Sequence, residues 1–322
     1  MHITDQMIDT ELRGLAKAYR AIHSHITPGK MKFFTNVLKN VNGIAISKES
    51  LNYDQHYIPR YDGSTLRICV YYPKTPQKNV PGILWLHGGG YAMSVPEVEV
   101  PTIKQLVAKS GAVVVVPEYR LSTEAPYPAA LEDSYLALQW LAKHGAEYGM
   151  RDDQIMVGGS SAGGGLTAAL TLYVRDRGEI NIAFQMPLYP MIDDRLTGSS
   201  TDNDAPFWNT ESNELGWRLY LGDLYGSENI SPYAVPARAD NFTNLPPTVT
   251  FIGSVEPFRD ETITYVQRLK ESGVQVYFKE YQGAFHAFDL FKPNATISKK
   301  ATAFLMETFE YAVEHYFAKQ PE

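Results

Sequence analysis

The sequence predicts an α/β fold, a mostly parallel central sheet flanked by helices with one helical insertion, on three observations. Short β-rich runs alternate with helical stretches along most of the chain. A turn of small residues lies where one such run hands over to a helix. One long interval, residues 190–245, interrupts the alternation. With 322 residues, 44% hydrophobic and 20% charged, the chain can bury a large core as one α/β unit with an addition.

From Asp5 to about His25, the residues Ile8, Leu12, Leu15, Tyr19 and Ile22 recur at steps of three and four, which predicts an amphipathic helix. A shorter helix is expected around Met31 to Leu38. Tyr53 to Pro59, and Leu66, Ile68, Val70 and Tyr72 in alternation, flank Asp62-Gly63 and predict an antiparallel hairpin. Strands follow at Ile83 to Leu86, Ala112 to Val116, Gln154 to Val157, Ile182 to Leu188, Thr248 to Ile252 and Val274 to Tyr281. Helices are expected between most of them, over Glu97 to Ser110, Ala129 to His144, Ala162 to Arg177 and Asp260 to Ser272, with a last one from about Ala295 to Phe317. Such alternation favours parallel strands covered on both faces. The interval 190–245 contains Trp208, Trp217, Tyr220, Tyr225 and Tyr233. With the helices of residues 1–50 it is expected to form a cap over the sheet domain, residues 51–189 and 246–322; a helical excursion packed on the side is the alternative.

The net charge of −7 comes from 29 basic and 36 acidic residues that are well mixed, so nucleic acid and anionic membrane surfaces are disfavoured as partners. Asp5, Asp9 and Glu11 interrupt the first residues, which therefore do not read as a secretory signal, and no run approaches the roughly 20 apolar residues of a membrane span. A cytoplasmic protein is expected. Cys69 is the single cysteine, which excludes an intrachain disulfide and a thiolate metal cluster. His23 and His25, two apart, do not share a helix face for metal binding. No metal or other cofactor is expected.

Gly159-Ser160-Ser161-Ala162-Gly163 satisfies G-x-S-x-G at a predicted strand-to-helix turn. That context exposes Ser161 as a nucleophile and puts the amide of Ala162 at a helix N-terminus, where developing negative charge is favoured. A register centred on Ser160 fits less well, because its last position is Ala162. His87-Gly88-Gly89-Gly90 follows the strand ending at Leu86, and backbone donors there suit an oxyanion hole, assigned to Gly88 and Gly89 with Ala162. His87 is expected to brace that loop. His286, just beyond the last strand, is the expected general base. The acid should follow the strand Thr248 to Ile252: Glu256 comes first in the loop, Asp260 and Glu261 suit a helix start, and Asp193 or Asp194 is the alternative from the preceding loop.

These motifs, together with Pro117-Glu118-Tyr119-Arg120-Leu121, Pro128-Ala129-Ala130-Leu131-Glu132-Asp133, Glu256-Pro257-Phe258-Arg259-Asp260-Glu261 and Phe285-His286-Ala287-Phe288, resemble the hormone-sensitive-lipase-like family of α/β-hydrolase esterases over most of the chain. The resemblance implies an α/β-hydrolase fold and a serine carboxylesterase with Ser161, Glu256 and His286 as its triad. It implies a cap from the two segments named above and a homodimer through the edge strand Val274 to Tyr281. The family more often has Asp where this chain has Ser160, and Asp as the acid where it has Glu256. Tyr119, Arg120 and Asp133 are read as structural. Phe33, Phe34, Tyr91, Trp208 and Trp217 are candidate substrate contacts, and the roofed apolar cleft suits small-molecule esters of short to medium acyl chains. An amidase, lactonase or arylformamidase would use the same triad. A small-molecule receptor on the same scaffold would normally show a broken one, and a dinucleotide enzyme would need a glycine fingerprint that does not follow the first parallel strand.

Overall fold

A computed structural model of the protein describes residues 1–22, 25–45 and 50–321. Eight strands form one sheet: β1 (Leu51–Pro59), β2 (Thr65–Pro73), β3 (Val80–Leu86), β4 (Val113–Pro117), β5 (Met150–Ser160), β6 (Phe184–Leu188), β7 (Thr248–Gly253) and β8 (Val276–Tyr281). Their spatial order is β1-β2-β4-β3-β5-β6-β7-β8. The expected hairpin pairs β1 with β2, turning at Gly63 with φ 84°, while the Asp62 carboxylate accepts from Ser64 N–H and Oγ–H. β2 is antiparallel to β4, and every later pairing is parallel. All residues of β3 and β4 are buried, as expected of strands covered on both faces.

Nine helices cover the sheet among the described residues: α1 (Arg13–Ile22), α2 (Pro28–Ala45), α3 (Val100–Ser110), α4 (Ala129–His144), α5 (Ala162–Arg177), α6 (Thr210–Leu221), α7 (Arg259–Glu271), α8 (Phe288–Phe291) and α9 (Thr296–His315). Three expectations change. The first amphipathic stretch is not one helix: a 3-10 turn, Asp5–Met7, precedes α1, because Asp9 N–H is bound to Gly283 O at 2.9 Å and the Asp9 carboxylate takes Glu11 N–H at 2.9 Å. Of the periodic residues Ile8 and Leu12 are nevertheless buried and Leu15 and Tyr19 half-buried, with Ile3 and Ala16 buried beside them; His23 lies outside the described residues. α2 begins earlier and runs longer than Met31 to Leu38, with Pro28 at its first position and Thr27 Oγ1 accepting from Lys30 N–H at 3.3 Å. The stretch Glu97 to Ser110 divides into a 3-10 turn, Pro96–Glu99, and α3, which has a proline in its first turn.

The segment 190–245 contains α6 and otherwise mostly turns. It meets the first residues of the chain directly: Ile3 N–H donates to Asp204 at 2.6 Å, and the Tyr19 and Phe207 rings stack at 4.3 Å. No helix of the described residues is long and apolar enough to cross a membrane.

Asp133 on α4 ties the hairpin to the loop after β4. It is 1% exposed and takes Arg60 Nε–H at 2.7 Å, Arg120 N–H at 2.8 Å and Arg120 Nη2–H at 3.0 Å. Removing one partner of such a network strands the others. Asp133→Ala is expected to lower stability by about 3 kcal/mol in urea unfolding. Because its bonds go to Arg60 and Arg120 and none to Ser161, Glu256 or His286, the folded fraction should keep its activity.

Candidate active site

β5 ends directly on Ser161, whose backbone takes φ 58° and ψ −119° before α5 begins. Few non-glycine residues adopt that region, and the sharp turn is what projects the hydroxyl. Bonds on both sides hold it: Ser161 N–H donates to Leu188 O at 3.0 Å, and Ser161 O accepts from Gly165 N–H at 2.9 Å and Met191 N–H at 3.1 Å. A Cβ on Gly163 would lie 2.0 Å from Leu86 O, so the turn rests on the end of β3 and requires glycine there.

Glu256 and His286 come from the loops after β7 and β8. Glu256 Oε1 accepts Gly253 N–H at 2.8 Å, and Oε2 accepts His286 Nδ1–H at 2.5 Å. With its proton on Nδ1, the neutral ring turns the Nε2 lone pair to Ser161 Oγ, 2.8 Å away. The three residues are 7%, 0% and 5% exposed in the order Ser161, Glu256, His286. Phe258 at 5.0 Å and Tyr189 at 5.2 Å stand edge-on to the imidazole and fix its plane. The alternative acids are engaged elsewhere. Asp193 binds Arg195, Asp194 binds Arg238, Asp260 accepts Ser199 N–H, and Glu261 accepts Ile192 N–H.

The expected oxyanion donor Gly88 is corrected. Its N–H is already given to Glu99 Oε1 at 3.1 Å. The amides of Gly89 and Gly90 have no protein acceptor among the described residues, and that of Ala162 is the first of α5, where helix amides lack intrahelical partners. Gly89, Gly90 and Ala162 are thus the donors left free. Gly90 takes φ 59°, and a Cβ there would lie 2.2 Å from the Trp208 ring, so this position also needs glycine. His87 braces the loop: it is fully buried, its ring stacks on Tyr119 at 4.1 Å, and Tyr119 Oη–H donates to His87 O at 2.7 Å. Burial pushes the His87 pKa down to about 4, so the ring is neutral. Its Nδ1–H donates to Gly88 O at 2.9 Å, which polarises the peptide whose N–H belongs to Gly89.

The candidate substrate contacts divide. Phe33 and Phe34 lie on α2 with 71% and 50% of their surface exposed. Tyr91 and Trp217 are corrected to core residues. Tyr91 stacks on Tyr220 at 3.9 Å and donates its hydroxyl proton to Met191 O, while the Trp217 ring lies 5.5 Å from it. Trp208 stands at the site, its ring against Gly90 and 6.3 Å from His286. Sequence reasoning missed Gly90, Glu99 and Asp289. Asp289, one turn beyond His286, approaches Tyr189 Oη–H at 3.5 Å, and its Oδ1 is buried without a partner among the described residues. Burial foremost raises its pKa to about 7.

Residues 83–290 match the family model described as the alpha/beta hydrolase fold. An esterase of Mycobacterium tuberculosis, LipI, is 34% identical over 68% of this chain and 69% of its own length. The carboxylesterase NlhH of the same species is 32% identical over 71% of this chain and 73% of its own. Among solved structures, a bacterial heroin esterase superposes with a TM-score of 0.88 at 32% identity, covering 97% of this chain and 99% of its own.

Two outcomes follow from this geometry. Glu256→Gln removes the charge that stabilises the imidazolium and the acceptor that fixes the tautomer, so kcat should fall by about 10⁴-fold with KM little changed, as steady-state kinetics would show. Asp289 holds a proton in the folded state that it has lost in the unfolded chain between pH 4 and 7. Stability therefore declines as pH rises through that window and levels off above about 7. Asp289→Asn should abolish this part of the decline, read from thermal midpoints across pH 4 to 8.

Proposed function

We propose that this chain, which belongs to the α/β-hydrolase fold family and to its hormone-sensitive-lipase-like esterases, hydrolyses short to medium acyl esters through an acyl-enzyme on Ser161. Ester hydrolysis is the activity of the group; the nucleophile, the donors and the acyl range are the present reading. The unbroken line from Glu256 through His286 to Ser161, at 2.5 and 2.8 Å, is the observation that supports it most.

His286 Nε2 takes the Ser161 Oγ proton as the oxygen attacks the ester carbonyl. The carbonyl oxygen becomes an oxyanion between the amides of Gly89, Gly90 and Ala162. Glu256, held by Gly253 N–H, stabilises the imidazolium that has formed. Collapse of the tetrahedral adduct expels the alkoxide, which leaves as an alcohol with the proton from His286. Water then gives its proton to His286 and attacks the acyl carbon, and a second collapse releases the acid and restores the serine. Because the base must start neutral, acidification stops the first step.

The walls of the site limit the acyl range. Trp208 closes over Gly90, and Phe258 and Tyr189 flank the imidazole, so the space beside the reacting carbon is bounded by large rings. The N-terminal helices and residues 190–245, joined through Tyr19, Phe207 and Asp204, would act as the cap above it.

The test is hydrolysis of p-nitrophenyl acetate, butyrate, octanoate and palmitate by wild type, Ser161→Ala and Trp208→Ala. Wild-type turnover should fade toward palmitate, and Ser161→Ala should lose it by a factor of at least about 10⁴. Trp208→Ala should shift the optimum to a longer chain. Activity equal in wild type and Ser161→Ala would refute the nucleophile, and a rise toward palmitate would refute the acyl range.

A further inference from the structure

Glu99 ends the 3-10 turn before α3 and points inward, 1% exposed. Its Oε2 accepts Trp85 Nε1–H at 2.9 Å from β3. Its Oε1 accepts two protons, from Ser160 Oγ–H at 2.8 Å and from Gly88 N–H at 3.1 Å. One oxygen atom is therefore shared between the residue before the nucleophile and the first glycine of the oxyanion loop. All three donors are neutral, so this buried carboxyl is held by hydrogen bonds alone, at a site where desolvation raises its pKa. The two segments it joins are already in contact: a Cβ on Gly88 would lie 3.1 Å from both Ser160 O and Ser160 Oγ.

We propose that Glu99 is a positioning residue for ester hydrolysis, clamping the oxyanion loop to the nucleophile turn, and that Ser160 is the neutral donor which this buried carboxyl requires beside it. The inference rests on the reading of Ser161 and the glycine loop given above. Gly88 is followed at once by Gly89 and Gly90, whose amides must aim at an oxygen that exists only in the transition state. Tethering Gly88 N–H fixes the start of that pair, and the same atom fixes the start of the turn that carries Ser161. Nucleophile and donors are thereby set relative to each other, and an error of about 1 Å between them costs about 100-fold in rate. An aspartate at position 160 would press a second carboxylate against Oε1 away from water, which serine avoids while supplying a donor.

The experiment measures kcat and KM for p-nitrophenyl butyrate, inhibition by a trifluoromethyl ketone of similar acyl length, and thermal unfolding. The variants are Ser161→Ala, Ser160→Ala, Ser160→Asp, Glu99→Gln and the two Ser160 changes combined with Glu99→Gln. Glu99→Gln is expected to lower kcat by about 10- to 100-fold and to weaken the ketone by a similar factor, with KM within about twofold. Ser160→Ala should add no further loss to Glu99→Gln, since both cut the same connection. Ser160→Asp should be nearly inactive, and adding Glu99→Gln should restore at least about 10-fold of kcat. A merely structural role would instead lower the unfolding midpoint without this rescue and without loss of ketone affinity.

Three results overturn the proposal while the nucleophile assignment stands: Ser160→Asp as active as wild type, single effects that simply multiply, or Glu99→Gln raising KM with kcat intact. Should Glu99→Gln fail to fold, Ser160→Ala decides. Equal losses in kcat and ketone affinity at constant KM support the clamp, and an unchanged kcat overturns it. Hydrolysis retained by Ser161→Ala overturns the nucleophile assignment and this proposal with it.

Discussion

The site depends on how closely the end of β3 and the start of α5 approach. Leu86 and Gly159 are level in the parallel pairing of β3 with β5, and Leu86 O lies only 2.0 Å from where a Cβ of Gly163 would be. Only because no side chain intervenes can the serine turn sit beside the glycine loop that leaves β3. The remaining parts follow from the sheet's direction. β3, β5, β7 and β8 run parallel, so the loops bearing Gly89, Ser161, Glu256 and His286 all emerge at one edge.

That edge contains more carboxyl groups than the reaction uses. Glu99, Glu256 and Glu261 are almost wholly buried, and Asp289 has one enclosed oxygen. Each is stabilised differently. Glu256 has a backbone amide and the imidazole, Glu261 has the amides of Ile192 and Asp193, and Glu99 has three neutral donors. Burial pushes the Glu261 pKa well above the usual carboxylate range, and that of Asp289 toward neutrality. Around a site that must stabilise one new negative charge, Glu99, Glu261 and Asp289 are thus shifted toward their neutral forms, which lessens their repulsion of the oxyanion.

Much of this was legible in the sequence where a residue's type and its place after a strand coincide. Ser161, His286 and Glu256 each follow a short apolar run, and the alternation of strands and helices placed those runs in a parallel sheet. What was not legible depends on where a bond partner happens to lie. Three consecutive glycines offer three amides, and nothing local says that Gly88 N–H is occupied by a carboxylate from a later turn. Glu99 falls within the helix expected from Glu97, and nothing local shows that a 3-10 opening turns its side chain inward. Tyr91 and Trp217 are aromatic candidates for substrate contact, yet Tyr220 and Met191 O satisfy Tyr91 within the core and Trp217 packs beside it. In the first amphipathic stretch Ile8 and Leu12 are buried and Leu15 and Tyr19 half-buried, but the chain divides into a 3-10 turn and α1, since periodic apolar positions mark burial before they mark a continuous helix.

The bond from Asp9 N–H to Gly283 O joins an early segment of the chain to the loop that holds His286. During synthesis the early segment leaves the ribosome ahead of its partners, meeting Asp204 and Phe207 once they follow and the Gly283 loop only later. At about 5 to 20 residues per second this leaves Ile3, Ile8 and Leu12, which end up buried, waiting for on the order of tens of seconds. The catalytic machinery and the anchorage of the opening residues are therefore completed together, late, by the same loop. A nascent chain stalled before that loop would carry its serine turn with Asp9 and its apolar neighbours held only through Asp204 and Phe207, and would be a client for chaperones before it could be an enzyme.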